Sequence, residues 1–145
     1  GKLFASGLAG DRFCVRNSGA TAVVEGCGDN GCEYMTGGTA IIIGPVGNNF
    51  AAGMTGGIAF VYDKDGNLPV RINLSDVLYQ QQMNKYWEDY LLTIIKEHYL
   101  KTSSMHANYL IDNWETEKHC FWQIIPKEMV NKFDHPVLVE QIKTA

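Results

Sequence analysis

Hydrophobic and polar positions follow different patterns in the two halves of the chain. In the first half, short β-branched runs lie between glycine-rich corners and show no helical period, which is typical of β-strands. In the second half the apolar residues recur at helical spacing. One helix face there comprises Trp87, Leu91, Ile94, Ile95, His98 and Tyr99. We therefore predict a β domain over residues 1–73 and a helical C-terminal cap and tail over residues 74–145.

The strand-like runs of the first half form a repeat. Residues 18–24 recur as residues 37–43 and again as residues 56–62, each step being 19 residues. Nineteen residues at about 3.3 Å each are too long for a hairpin strand but suit one coil of a solenoid. Stacked coils place like residues on like residues. The sequence predicts a mainly β fold, a right-handed parallel β-helix of about three 19-residue coils followed by a short helical C-terminal cap.

The 19-residue register predicts which residues stack. Glycine in one column suits corners with positive φ, aliphatic residues fill the interior, and short polar residues hydrogen-bond along the stack. The predicted columns are Gly19/Gly38/Gly57, Val23/Ile42/Val61, Thr21/Ala40/Ala59, Asp11/Asn30/Asn49 and Asn17/Thr36/Thr55. A glycine-rich β-sandwich is the alternative. A left-handed hexapeptide β-helix fits poorly, because its coils are multiples of six residues.

The second half is predicted to close one end of the β-helix. Ser103 or Ser104 can cap a second helix, whose apolar residues are Ala107, Leu110, Ile111 and Trp114. Residues 121–125 are predicted as a short strand or extended arm. We expect the helices to cap the C-terminal end of the β-helix, leaving the other end open at Gly1. Because residue 1 is Gly rather than Met, we expect a fragment of a longer polypeptide or a tag remnant.

Composition narrows the classes of function. The chain has 145 residues and a net charge of −4, and no basic stripe of a nucleic-acid binder is visible. No apolar run approaches the ~20 residues of a membrane span, and no signal peptide opens the chain. The four cysteines lack the short spacings of a zinc site. We expect reduced, mostly buried thiols in a cytoplasmic protein. These cysteines are Cys14, Cys27, Cys32 and Cys120.

One motif suggests nucleotide binding when it is taken alone. Residues 26–31 spell G-x-G-x-x-G after a predicted strand, but the next element is another strand rather than the helix that the mechanism requires. Arg16, in register with Met35 and Met54, is interpreted as a packed or subunit-contacting guanidinium, and His98 as a core or interface histidine. Carboxylates at corners are expected to be solvated: Glu25, Asp29, Glu33, Asp63 and Asp65. No catalytic, cofactor-binding or metal-binding residue is predicted in this chain.

Many consecutive residues carry a resemblance to a known family. Residues 10–20, 24–26, 31–38 and 49–57, with His98-x3-Thr102-x-Ser104 and Ile125–Pro126 in the tail, resemble the GXGXG-type C-terminal β-helix domain of the glutamate synthase large (alpha) subunit. The residues from 115 to 120, and from 134 onward, depart from the family pattern.

The resemblance implies a non-catalytic assembly domain within a larger enzyme. That enzyme makes glutamate from glutamine and 2-oxoglutarate with FMN, an iron–sulfur cluster and an electron donor, none of them bound by this chain. The implied partners are the amidotransferase and FMN-binding domains or subunits, with no nucleic acid and no membrane. A homo-oligomer through the open N-terminal end is a further possibility. The alternatives are a β-helix subunit of another redox complex, similar to the β-helix component of formylmethanofuran dehydrogenase, and an independent β-helix enzyme.

Overall fold

A computed structural model describes residues 1–138. Its six strands form one sheet in the order β1-β2-β3-β4-β6-β5. The strands are β1 (Lys2–Phe4), β2 (Ser18–Val24), β3 (Thr36–Ile42), β4 (Gly56–Tyr62), β5 (Val77–Gln80) and β6 (Phe121–Pro126). The helices are α1 (Leu68–Arg71), α2 (Lys85–Thr102), α3 (Met105–Asp112) and α4 (Trp114–Glu117), with 3₁₀ turns at Lys118–Cys120 and Lys127–Met129.

The first four strands build a β-solenoid of about three turns, which confirms the predicted fold class. Each of β1 to β4 pairs in parallel with the next, and the intervening residues return as corners that hydrogen-bond to the coil beside them. β-Branched and aliphatic residues occupy the strands because a pleated surface buried on both faces favours them. The interior holds Val24, Ala40, Ile42, Ala59 and Val61 in one apolar cluster.

The predicted columns are wrong by one residue between the first and second coils. A β-bulge lies between Ser18 and Thr21, so that Val23 pairs with Ile41. The step from β1 to β2 is 19 residues, and the step from β3 to β4 is 19 from Thr39 onward, after a second shift that pairs Thr36 with Gly56. A one-residue slip moves a side chain to the opposite face of a strand. Val23 therefore joins the outer apolar cluster with Ile41, and Val24 takes the interior position beside Ile42.

The same shift regroups the polar columns. The Asp11 side chain accepts a hydrogen bond from the backbone N–H of Asp29 at 2.8 Å, and Asp29 accepts one from Asn48 at 2.7 Å. A second ladder of side-chain amides runs Asn30–Asn49–Asn73, with N···O distances of 3.0 and 2.9 Å. Asp11 thus belongs with Asp29 and Asn48, and not with Asn30 and Asn49 as predicted.

Backbone conformation requires glycine at two of the three positions in the predicted glycine column. Gly38 and Gly57 have φ of +86° and +76°, and a Cβ on either would collide with a carbonyl oxygen of the neighbouring coil. Gly19 has no atom within 4 Å of the position that a Cβ would take. The predicted need for positive φ therefore holds for the second and third coils.

The helices lie against the outer face of the sheet and do not cover its end. Tyr90 of α2 packs against Phe60 and hydrogen-bonds Thr39 at 2.7 Å, while His98 of α2 packs against Phe4. The edge of β4 is instead covered by β6, which pairs antiparallel with both β4 and β5. The expected helical end cap is thus replaced by a strand pair, and the predicted strand at residues 121–125 is confirmed as β6.

Candidate functional site

A groove of about 420 Å³ lies at the carboxyl ends of β2, β3 and β4. Its apolar wall includes Leu8, Pro45, Val46 and Leu68, and its polar groups come from the residues that leave the strands and from α3. Concave sites of this size are the usual place for ligands. The polar lining residues are Glu25, Tyr62, Asp63, Lys64, Asp65, Asn67, Arg71 and His106.

Glu25 joins the solenoid to the turn between α2 and α3. Its Oε2 lies 3.2 Å from Nε2 of the fully buried His98 and also accepts the hydroxyl hydrogen bond of Ser104. The Ser104 oxygen accepts in turn from the backbone N–H of Ala107 at 3.0 Å, which caps α3 as expected. A hydrolytic triad requires the serine to bond the histidine. Here the carboxylate lies between serine and histidine, so the three residues act as a structural bridge.

A second cluster surrounds the buried carboxylate of Glu117. Tyr62 donates its hydroxyl to Oε1 at 2.7 Å, and the Lys64 ammonium lies 3.0 Å from both carboxylate oxygens. The Tyr62 hydrogen bond, followed by Lys64, lowers the pKa of Glu117 against the opposing effect of burial. Burial and the Glu117 carboxylate raise the pKa of Tyr62. The cluster holds α4 against the end of β4.

Asp63 and Arg71 of the groove also have structural partners. Asp63 accepts from the backbone N–H groups of Asn67 and Leu68, both at 2.9 Å, and from the Trp122 indole at 3.0 Å. This arrangement holds the turn by which the chain leaves the solenoid after β4. Arg71 donates to the Asn48 side chain at 2.9 Å. Asp63 and Arg71 therefore make folding contacts, and so does His106, whose Nε2 lies 2.6 Å from the Ile43 carbonyl oxygen.

The thiols of the solenoid are unsuited to metal or redox chemistry. All four cysteines are free, and burial raises the pKa of Cys14 to about 11 and of Cys27 to about 12. Metal and cluster ligation needs thiolates. Within residues 1–138, no group of three or more His, Cys, Asp or Glu side chains could hold a metal ion. The residues present therefore do not fit an iron–sulfur cluster.

The G-x-G-x-x-G segment is a corner of the solenoid. Its glycines make room for neighbouring coils: a Cβ on Gly28 would collide with the Asp11 carboxylate, and one on Gly31 would lie 2.9 Å from the Phe50 ring. The segment continues into a turn and then β3, with no helix N-terminus for a phosphate. A carboxylate against Gly28 would repel a phosphate, so the corner does not fit a flavin or dinucleotide phosphate.

Two single residues differ in how well the sequence predicts them. His98 is a core histidine, as expected. Arg16 does not stack on Met35 and Met54: those two are fully buried, whereas Arg16 is exposed in the left-handed region at φ +58°. The shifted register places it beside Tyr34 and Gly53, which are also left-handed. The prediction of a packed guanidinium is thus wrong for the described coils.

No helix of the described residues is long and apolar enough to cross a membrane.

Comparison with known proteins fits this description. The model of the GXGXG motif family matches residues 1–127. The chain belongs to that family. It is 57% identical over 137 residues to the glutamate synthase [NADPH] large chain of Azospirillum brasilense, covering 94% of this chain and 9% of the relative. It is 49% identical over 126 residues to the ferredoxin-dependent glutamate synthase of Cyanidium caldarium, covering 87% of this chain and 8% of that relative.

The matched region is only a small part of these relatives, since the chain spans 8–9% of their length. A third, the chloroplastic ferredoxin-dependent glutamate synthase of Spinacia oleracea, is 41% identical over 142 residues, or 98% of this chain and 9% of the relative. These matches confirm the resemblance to the β-helix domain of glutamate synthase. They do not favour the formylmethanofuran dehydrogenase alternative.

The groove and the Glu117 cluster are not predicted by the sequence. Glu117 lies in a polar stretch that shows no apolar period, so nothing in the sequence marks it as buried. The sequence suggests a solvated corner residue at Glu25, yet only 19% of its side chain is exposed. Its position directly after a buried strand is the available signal, because the carboxyl ends of parallel strands meet at one edge.

Proposed function

We propose that this chain is a non-catalytic assembly domain of a glutamate synthase, which holds the amidotransferase and FMN-binding parts of the larger enzyme in register. The observation that carries the proposal is that the carboxylates at and beside the groove are engaged in hydrogen bonds within the chain. Glu25, Asp63 and Glu117 each bind groups from other elements of this chain. A catalytic carboxylate or histidine needs a face open to substrate, and these support the fold instead.

The similarity to glutamate synthase large chains supports the choice of parent enzyme. FMN and the iron–sulfur cluster would then be bound elsewhere in that enzyme, because the cysteines and the glycine-rich corner of this chain do not fit them. The cytoplasmic location stays a prediction, since one relative is named as chloroplastic. A homo-oligomer through the edge of β1 also stays a prediction.

The proposal is tested by turnover of the isolated chain. The purified chain is incubated with glutamine, 2-oxoglutarate and a chemical reductant, and glutamate is measured against a blank without protein. We expect no glutamate above the blank. Formation of glutamate that is lost on substitution of Glu25 or His106 would show a catalytic site in the groove and overturn the proposal.

A further inference from the structure

The C-terminal segment, residues 130–138, is bound to the rest of the chain through its main-chain carbonyl groups. The Pro136 carbonyl accepts from the Asn84 side chain at 2.9 Å and from the Trp87 indole at 3.0 Å. The Val137 carbonyl accepts from the buried Gln80 amide at 2.6 Å. Asn84 also reaches the next carbonyl, that of Leu138, at 3.4 Å. We call Gln80, Asn84 and Trp87 the seat.

Apolar and aromatic contacts complete the interaction. The Val137 side chain is 1% exposed and packs in the outer apolar cluster. Phe133 packs edge-on against Trp87 with ring centroids 5.4 Å apart, and His135 stacks on Tyr86 at 3.6 Å. Proline lacks an N–H group, so the segment leaves no donor unpaired at residue 136. The seat thus binds main-chain carbonyl groups, one aliphatic side chain and a proline. Peptide-binding grooves also combine main-chain hydrogen bonds with pockets for particular side chains.

The Asn84 side chain has a second role open to it. Asn84 is the N-cap residue of α2, where asparagine ordinarily accepts from the first backbone N–H groups of the helix. Its side chain makes no such bond, although its backbone conformation is extended as in an N-cap. Release of the C-terminal segment would free the side chain to cap α2. Part of the interaction lost on release would then be regained within the helix.

The bound segment makes a hydrogen bond with only one end of the Gln80 side-chain amide. Its amide nitrogen donates to Gln123 at 2.7 Å and to Val137, while its buried Oε1 accepts no hydrogen bond within the described residues. The Val137 carbonyl fixes the orientation of this amide, because a flipped amide would place two oxygens against each other. A peptide that also offered an N–H group to Oε1 would satisfy both ends of the amide.

We propose that the seat is a docking site for a short peptide of the type proline-aliphatic-aliphatic, and that residues 136–138 occupy it as an exchangeable intramolecular ligand. The occupant in trans is a peptide of the chemistry of residues 133–138. The proposal stands independently of the assembly role, because it rests on the seat and its bound segment alone.

Competition with a peptide tests the exchange. Val137→Asp in the full chain places a carboxylate in the apolar cluster and vacates the seat without altering it. The probe is a fluorescein-labelled, amidated peptide of residues 133–138, followed by anisotropy. We expect it to bind the Val137→Asp chain at least about tenfold more tightly than the wild-type chain, whose seat is occupied. The same peptide carrying the Val137→Asp substitution is the control and should bind neither chain. Equal binding to both chains, or no binding to a folded Val137→Asp chain, would overturn the proposal.

A second variant decides the matter if Val137→Asp does not fold. Asn84→Asp cannot donate to carbonyl groups but can still cap α2. We expect hydrogen exchange of the Trp87 indole N–H, which donates to the Pro136 carbonyl, to rise at least about tenfold, with no rise at the backbone amides of α2. Asn108→Asp on α3 controls for the added charge and should change neither. Unchanged exchange of the Trp87 indole in Asn84→Asp would show that Asn84 does not hold the segment, contrary to the proposal.

Discussion

Nε2 of His98 lies 3.2 Å from Oε2 of Glu25, although the two residues are 73 positions apart in the chain. His98 is fully buried on α2, and Glu25 is the first residue after β2. Ser104, at the start of α3, bonds the same carboxylate oxygen. One carboxylate therefore connects the solenoid to both long helices, which makes it a sensitive reporter of how the two halves of the fold depend on each other.

Removal of this carboxylate should destabilise the whole chain. Glu25→Ala leaves the ring nitrogen of His98 and the Ser104 hydroxyl without their acceptor in a buried place, and we expect the free energy of unfolding to fall by about 1.5–3 kcal/mol. The measurement is urea denaturation followed by circular dichroism. Asp65→Ala, at an exposed position on the same groove, is the control and should change stability by less than about 0.5 kcal/mol. Equal effects of the two substitutions would contradict the bridging role.

The Glu117 cluster should make stability depend on pH in a defined direction. The pKa of Glu117 is lowered from its ordinary value of 4.5, so its contribution is present above that value and is lost as the pH falls through the pKa of the folded state. The pKa of Tyr62 is raised, so its contribution is present below its ordinary value of 10.0 and is lost at higher pH. Both contributions are therefore present at neutral pH.

Glu117→Gln is the variant that tests this dependence. We expect it to lower the free energy of unfolding by about 1–3 kcal/mol at pH 7. The difference from wild type should shrink below pH 4.5, measured by urea denaturation across pH 3–8. Glu115→Gln, whose side chain is 85% exposed, should show no comparable difference. A Glu117→Gln difference that stays constant with pH would argue against a lowered pKa.

The glycine positions of the solenoid should not be equivalent. Gly38→Ala places a Cβ against the Ala20 carbonyl and forces alanine into φ +86°, so we expect a loss of about 2 kcal/mol or more. Gly19→Ala occupies open space and should be neutral or slightly stabilising. Thermal denaturation of the two variants compares them directly. Similar melting temperatures would mean that the close approach of the coils at Gly38 is not as described.

The ladder of side-chain amides should contribute to the stability of the solenoid, and Asn49 is the side chain that tests this contribution. Asn49 bonds both Asn30 and Asn73 and lies in the left-handed region at φ +59°, which glycine adopts without strain. Asn49→Gly removes two exposed hydrogen bonds and should lower stability by about 1 kcal/mol. Asn67→Gly, at a residue whose side chain makes no capping bond, controls for the added backbone freedom and should lose less. Unfolding midpoints in urea give the comparison, and a larger loss for Asn67→Gly would contradict the ladder.

The solenoid could be predicted from the sequence because its physics is repetitive. Each coil must bury its strand against the next, so the same residue types recur and the period is visible. The one-residue shift could not be predicted from the 19-residue period, because a bulge is defined by backbone pairing. That shift alone reverses the faces assigned to Val23 and regroups Asp11.

The position of the helices is harder to predict than their existence. The apolar face of α2 follows from its period, and Ser104 follows from its preference for helix N-caps. Where the face docks depends on contacts distant in sequence, such as Tyr90 with Thr39 and Phe60. The short β5 carries no period long enough to detect, so the sequence does not predict the strand pair that covers β4. The groove follows from those same long-range contacts.

The proposed assembly role is tested most directly in a glutamate synthase large chain that carries this chain as one of its domains. Gly38→Ala and the exposed control Asp65→Ala are introduced there, and glutamine hydrolysis, the reductive step on 2-oxoglutarate and their coupled formation of glutamate are measured separately. If the chain is an assembly domain, Gly38→Ala should lower coupled formation by about tenfold or more through misplacement of the two parts, while both partial reactions persist and Asp65→Ala behaves as wild type. Loss of one partial reaction in Glu25→Ala or His106→Ala, with the protein still folded, would contradict the assembly role and place catalysis in the groove.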